Sequence, residues 1–221
     1  FHRIQANLPP AYGAVNRWSC GGVVIRLERD RASLWSSSLW RRINPPHQGR
    51  IMDASSQFKD SLPTTPESLL AVLDVLAIDY VTHHHPPLRT VEDAKAHRGD
   101  MPGIHIKNLY LRDRKKRNFL IVAQEDRVID LKTLDQKIGC DRLSFGSADR
   151  LFEMLGVRPG AVSPLTVIND SDHKVLLIVD SALQTDDRIY AHPLVNDMTI
   201  GITGSGLQEF LAHTGHQPRW L

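Results

Sequence analysis

Cysteine is scarce. Cys20 and Cys140 are the only two in 221 residues, too few for a disulfide framework, and a reducing compartment, the cytoplasm, is the expected home. No apolar run approaches the roughly 18 to 20 residues that a membrane-crossing helix needs, so no membrane partner is expected. Several catalytic signatures are missing as well. There is no CxxC or HExxH to organise a zinc site, and neither "LSFGSAD" nor "GSGLQ" meets the GxSxG spacing of a nucleophile elbow. No Walker loop and no complete GxGxxG occurs, which argues against nucleotide hydrolysis and dinucleotide binding.

Lysine is absent from residues 1–51, which hold eight arginines and two acids, a balance of +6. The whole chain carries +2, so the remainder sits at −4. The first segment also holds Trp18, Trp35, Trp40 and the run Ser36–Ser38, and only "GGVVIRLERD" reads as a strand. Two readings compete: an organelle transit peptide, or upstream sequence read in frame ahead of a true start at Met52. The second is preferred because no amphipathic helical period supports the first. Either way residues 1–51 are expected to be a poorly ordered extension without a catalytic role, followed by one domain over residues 60–221.

From Pro63 the chain is regular. Thr65 caps a helix with Pro66 in its first turn, and Leu69, Val72, Leu73 and Leu76 recur at helical spacing. Tyr80–Thr82 is a short strand, and Thr90 with Asp93 can cap the helix "VEDAKAHR". "GIHIKNLYLRD" and "NFLIVAQ" are strands joined by a charged turn. "DLKTLDQKIG" and "SADRLFEMLG" are helices, the latter closed by Gly156. "SPLTVIND", "KVLLIVD", "RIYAHP" and "MTIGIT" follow as strands, with "NDSDH" a hairpin turn, and "GLQEFLAHTG" closes the chain as a helix. The fold class is α+β, a single domain whose curved, mixed, largely antiparallel sheet is surrounded by helices.

Four features carry candidate chemistry. His83, His84 and His85 precede Pro86 and Pro87; alternation puts His84 opposite the other two, so a proline-stiffened turn is preferred over a metal site. Arg112, Arg114, Lys115, Lys116 and Arg117 form a basic cluster that suits phosphates or merely solvates a hairpin tip. Lys107 lies on a mostly apolar strand face, where it is either ion-paired, with Asp170 or Asp180, or an anchor at the floor of a cleft. "GAVSP" over Gly160–Pro164 either presents the N–H groups of Gly160, Ala161 and Val162 to an oxyanion or is a plain loop. Cys140 has no histidine pattern near it and is expected to be buried.

Taken together, "HPPLRTVEDA", "GIHIKNLYLRDRKKRNFLIV", "LSFGSADRLFEMLGVRPGAVSPLTVIND" and "HPLVNDMTI" resemble the YbaK/prolyl-tRNA synthetase editing-domain family, within it the free-standing ProX-type deacylases of alanyl-tRNA(Pro). The match runs from about Thr64 to the C-terminus. The resemblance implies a metal-independent ester hydrolase without cofactor, and the aminoacylated 3′ end of tRNA as substrate. It also implies prolyl-tRNA synthetase as a partner, and no role for DNA. Lys107 matches the family's essential lysine, and Gly160, Ala161, Val162 and Pro164 match its catalytic GxxxP loop. Asn108, His192 and Pro193 match substrate-binding positions, and Arg114, Lys115, Lys116 and Arg117 are expected to contact the tRNA. His85, Pro86 and Pro87 match an HPP stretch that needs no metal. Deacylation of Cys-tRNA(Pro), or a non-catalytic tRNA- or partner-binding module, are the alternative readings.

Overall fold

The computed structural model describes residues 53–88, 91–98 and 101–221, together with two short strands, β1 (Ser19–Cys20) and β2 (Val23–Val24), which pair antiparallel. The chain divides into two units, Phe1–Arg50 and Ile51–Leu221. Apart from β1 and β2, the extension expected over residues 1–51 lies outside the described residues. Among the described residues no helix is long and apolar enough to cross a membrane.

The second unit opens with a 3-10 turn (Ser56–Ser61) and helix α1 (Pro66–Val75). The Thr65 hydroxyl accepts a hydrogen bond from the Ser68 N–H, Pro66 sits where no N–H is needed, and Leu69 and Leu73 are wholly buried. Strand β3 (Tyr80–His84) follows, two residues longer than the pattern suggests because His83 and His84 continue the ladder against Thr199 and Met198. Helix α2 (Val91–Arg98) has the expected span; its Thr90 cap lies outside the described residues.

Strands β4 (Ile104–Arg112) and β5 (Asn118–Gln124) form an antiparallel hairpin around the turn Asp113–Arg117. Helix α3 (Leu131–Ile138) is capped by Asp130 and closed by Gly139, and a two-residue strand β6 (Ser144–Phe145) leads to helix α4 (Ala148–Leu155), closed by left-handed Gly156. Strands β7 (Val175–Val179), β8 (Arg188–Ala191) and β9 (Met198–Thr203), helix α5 (Gly204–His213) and strand β10 (Arg219–Trp220) complete the chain.

The sheet runs β10-β7-β5-β4-β8-β9-β3, with β6 on β4. Of its seven pairings, four are antiparallel and three (β10/β7, β5/β7, β4/β8) are parallel. The segment "SPLTVIND" is not a strand. It is a 3-10 helix, Pro164–Asn169, because the Ser163 hydroxyl takes the Leu165 N–H while the Thr166 hydroxyl donates back to the Ser163 carbonyl. "NDSDH" is therefore no hairpin; the Asp170 carboxylate takes the N–H groups of Lys174 and Val175 and starts β7 alongside β5, parallel.

Alternation divides the core. Leu120 and Val122 face α1, α4 and α5, with Leu177, Ile189, Ile200, Leu207 and Phe210, whereas Phe119 and Ile121 face α3, with Leu111, Leu134, Ile138 and Ile178. β5 is covered on both sides, which is why its sequence reads as a continuous apolar run. Each fully buried Leu, Ile or Phe contributes about 1.5–3 kcal/mol.

Candidate active site

β4 carries the two adjacent polar residues, and period two sends them to opposite faces. Asn108 shares its face with Ile106 and Tyr110 toward the larger core, and its Oδ1 is buried without a hydrogen-bond partner. A buried orphan acceptor is costly, on the order of 1–3 kcal/mol. Lys107 lies on the other face with Leu109 and Leu111. Its ammonium donates to the Arg127 carbonyl. The ion pair with Asp170 or Asp180 is absent: Asp180 takes Arg127 Nη1 at 2.8 Å, and Asp170 takes backbone N–H groups. Arg127 and Ala123, the cross-strand neighbour of Lys107, both line a partly open cavity of about 180 Å³ under α3.

A second, open cleft of about 380 Å³ lies between Pro87–Leu88 and Asp93, Ala96 and His97 of α2. Around it the chain is folded back on itself. The His85 N–H donates to the Asp197 carbonyl, the Leu88 N–H to the Asn196 carbonyl, and Asn196 Nδ2 returns a bond to the Leu88 carbonyl at 3.0 Å. Asn196 Oδ1 is buried and unpartnered. Gly160 joins this group: a Cβ there would meet Asn196 Nδ2 at 3.4 Å and the Leu88 carbonyl oxygen at 3.8 Å. Its φ of +99° is available only to glycine at low cost.

The Gly160–Pro164 bend departs from expectation in one respect. The Ala161 N–H is not open to a ligand, because it donates to the Arg158 carbonyl at 3.1 Å and Ala161 is wholly buried. Among the described residues the N–H groups of Gly160 and Val162 have no such partner. Pro164 is buried at the head of its 3-10 helix.

His192 and Pro193 lead from β8 into the loop that returns at β9. The β4/β8 register pairs Ile104 with Ile189 and His105 with Tyr190, and His192 and Pro193 follow directly after β8 ends at Ala191. His192 Nδ1 lies 2.8 Å from the Met198 carbonyl, and its ring centroid is 5.9 Å from that of His85. The His85 ring in turn lies 5.8 Å from His97. Burial depresses the pKa of both His85 and His192, against the opposing pull of the Pro86 and Met198 carbonyls. No hydrogen bond joins Lys107 to the Gly160–Pro164 bend among the described residues; Lys107 is fastened to the Arg127 carbonyl, and the bend adjoins Asn196 and Leu88.

His83 and His85 point the same way, as alternation requires, but His83 stands edge-on to Tyr190 while Tyr190 stacks on His105 at 4.9 Å. Among the described residues no three His, Cys, Asp or Glu side chains converge as metal ligands. Cys140 is half-buried, its thiol pushed up in pKa by desolvation, and plays no part.

Arg114, Lys115, Lys116 and Arg117 are exposed at the far end of β4. Arg117 is tied to the buried Asp113 at 2.8 Å, and Lys115 lies 3.6 Å from Asp141. At about 3.4 Å per residue, the turn stands roughly 20 Å from Lys107 along the strand, a reach that suits a long substrate and no small one. Sequence reasoning singled out neither Thr199 nor Asn196, although both fall within or beside the "HPLVNDMTI" stretch; a polar Thr between Met198 and Ile200 was the available signal.

Residues 85–210 match the model of the aminoacyl-tRNA editing domain, a span that begins at His85 and closes inside α5. The chain is 37% identical over 151 residues to the prolyl-tRNA editing protein ProX of Acetoanaerobium sticklandii, covering 68% of this chain and 92% of that one. It is 35% identical to prolyl-tRNA synthetase associated domain-containing protein 1 of Danio rerio, over 65% of this chain and 79% of the relative. Two solved structures share the fold. A crystal structure of the hypothetical protein APE2540 superposes with a TM-score of 0.54 at 18% identity, over 68% of this chain and 96% of the other. One assigned provisionally as a trans-editing enzyme for prolyl tRNA synthetase does so with a TM-score of 0.52 at 20% identity, over 71% and 95%. The chain belongs to the aminoacyl-tRNA editing domain family.

Proposed function

We propose that this chain is a trans-editing hydrolase that removes alanine wrongly esterified to tRNA(Pro), acting in the cytoplasm alongside prolyl-tRNA synthetase. The observation that carries the reading is the 37% identity to a prolyl-tRNA editing protein along 92% of its length. The chemistry is consistent with it. An aminoacyl ester is already activated, so placing a water and stabilising the oxyanion does most of the catalytic work. The N–H groups of Gly160 and Val162 are the donors for that oxyanion. Lys107 holds the ribose end, and the Arg114–Arg117 turn holds phosphates farther along the acceptor stem; Asn108, on the opposite face of β4, lies toward the larger core.

The need for such an enzyme follows from binding energetics. A synthetase pocket shaped for proline rejects smaller alanine weakly, since missing methylenes are worth only about 1–3 kcal/mol. A second site that admits alanine and excludes proline adds the discrimination the first lacks. The test is hydrolysis across a panel of Ala-tRNA(Pro), Cys-tRNA(Pro), Pro-tRNA(Pro) and Ala-tRNA(Ala). Preferential release from Ala-tRNA(Pro) is expected. Preference for Cys-tRNA(Pro) would reassign the substrate, and binding without hydrolysis of any member would make the chain a tRNA-binding module.

A further inference from the structure

Phe145 is the one exposed aromatic side chain among the described residues, 66% accessible where every other described Phe, Tyr and Trp is buried or half-buried. A lone exposed apolar side chain is ordinary. The way this one is held is not. Ser144 and Phe145 make up β6, which pairs Ser144 with Arg112 and Phe145 with Leu111. The Gly146 N–H donates to the Tyr110 carbonyl at 3.0 Å, and the Ser144 hydroxyl donates to the Arg112 carbonyl at 3.3 Å. Gly146 lies against the Tyr110 ring so closely that a Cβ there would come within 2.3 Å of Cε1. The backbone on both sides of Phe145 is thus clamped to β4, and the ring is placed before any ligand arrives.

Its surroundings are cationic on one side and open on the other. Arg112, the partner of Ser144, begins the basic turn, and Arg112–Arg117 carries five cations and one acid. In the other direction along β4, pairing with β8 ends at His105 and pairing with β6 begins at Leu111. Among the described residues no strand covers the outer edge of β4 between them, and Lys107 stands in that gap. Directly opposed residues of an antiparallel pair point to one face, so Phe145, opposite Leu111, shares the face of Leu109 and Lys107. Four residues of strand and one strand spacing put it roughly 15 Å from Lys107. We propose that Phe145 is a stacking platform for an unpaired nucleobase near the 3′ end of the tRNA. The RNA strand lies along the open edge of β4, its terminus at Lys107 and its phosphates toward the basic turn. This rests on the deacylase reading for the identity of the RNA. At about 3.4 Å per stacked nucleotide the span covers about four nucleotides, and fewer where the strand is drawn out, which keeps the contact within the single-stranded end beyond the acceptor stem. A ring rimmed by cations suits a base joined to phosphates better than the apolar face of a protein, which would desolvate those cations without neutralising them.

The test is binding of uncharged tRNA(Pro), intact or with one abasic nucleotide at each unpaired 3′ position in turn. Wild type, Phe145→Ala, Phe145→Leu and Phe145→Trp are compared over a salt series. Phe145→Ala should bind the intact tRNA about 5- to 100-fold more weakly with an unaltered salt slope, because a neutral ring displaces no counterions. Phe145→Trp should bind as wild type does, and Phe145→Leu should stay impaired. One abasic position should weaken wild type by the same factor while weakening Phe145→Ala no further, which locates the stacked base. Binding by Phe145→Ala within about twofold of wild type overturns the proposal, as does a loss that no abasic position absorbs. A loss that comes with a lowered thermal midpoint and that Phe145→Trp does not restore assigns the effect to the fold, and overturns it too. Wild-type protein that shows the coupling but hydrolyses none of the charged tRNAs sinks the deacylase reading and leaves the stacking contact standing. Wild-type protein that releases alanine while Phe145→Ala binds normally does the reverse.

Discussion

Gly160 and Lys107 make different demands on their neighbourhoods. At φ +99° Gly160 occupies backbone space that L side chains rarely adopt, and a Cβ would sit in ordinary contact with the amide of Asn196 at 3.4 Å. Gly160→Ala is therefore expected to cost about 1–2 kcal/mol of stability, read as a lowered midpoint in thermal denaturation, and to slow deacylation by displacing the Gly160 and Val162 donors. An unchanged midpoint would show that the bend relaxes freely. Lys107 is half-buried and fastened to a main-chain carbonyl rather than to a carboxylate, so its ammonium keeps two hydrogens for a ligand. Lys107→Ala should cut turnover of Ala-tRNA(Pro) by about a hundredfold or more while circular dichroism stays that of wild type. Near-normal turnover by the folded variant removes Lys107 from the mechanism. Lys107 was legible in the sequence because a charge on an apolar strand face is anomalous. Phe145 was not, since a phenylalanine two residues after Leu143 reads as core and only its exposure gives it meaning.

Helix α2 is weakly helical by sequence and is anchored by charge. Arg98 grips the Glu125 carboxylate with both Nη atoms at 2.6 Å, and Lys95 reaches Asp126 at 2.8 Å. Glu125 is buried at the end of β5, and Arg98, foremost, then Lys95, hold its carboxyl below the usual carboxylate range. A carboxylate whose folded pKa lies below its unfolded value stabilises the native state above the unfolded pKa, and that share is lost as pH falls through the folded one. Glu125→Gln should thus lower stability by about 1–3 kcal/mol near neutrality, with the difference from wild type shrinking below about pH 4.3. Urea titrations at two pH values measure this. A difference that is constant with pH would assign the loss to packing. The elements themselves were largely readable. The exception, "SPLTVIND", has a strand-like composition, and Ser163 and Pro164 turn it into a 3-10 helix by local hydrogen bonding that apolar patterning does not register.

Over the molecule, charge is segregated along β4. The basic turn sits at one end and the cleft bordered by Leu88 and His97 near the other, and the proposed function has a polyanion bound at the turn place its terminus in the cleft. Two of the four cations are tied to Asp113 and Asp141, and the field they project is reduced accordingly. Neutralising Arg114, Lys115, Lys116 and Arg117 together should weaken tRNA binding and lower the slope of log affinity against log salt by fewer than four units, about two to three. Filter binding over a salt series measures it, and an unchanged slope would leave the turn a solubilising tip.

Local sequence determined the helices, their caps, the two faces of β4 and β5, and the anomalous lysine, because hydrophobic periodicity and capping act over a few residues. The tertiary structure alone decided which loops meet. Leu88 bonds to Asn196 across 108 positions, His85 to Thr199 across 114, and Gly160 packs on both sides of that junction. Such closures are set by sheet order and by parallel crossovers, above all the β4/β8 pairing, and no short-range pattern encodes a partner so far along the chain.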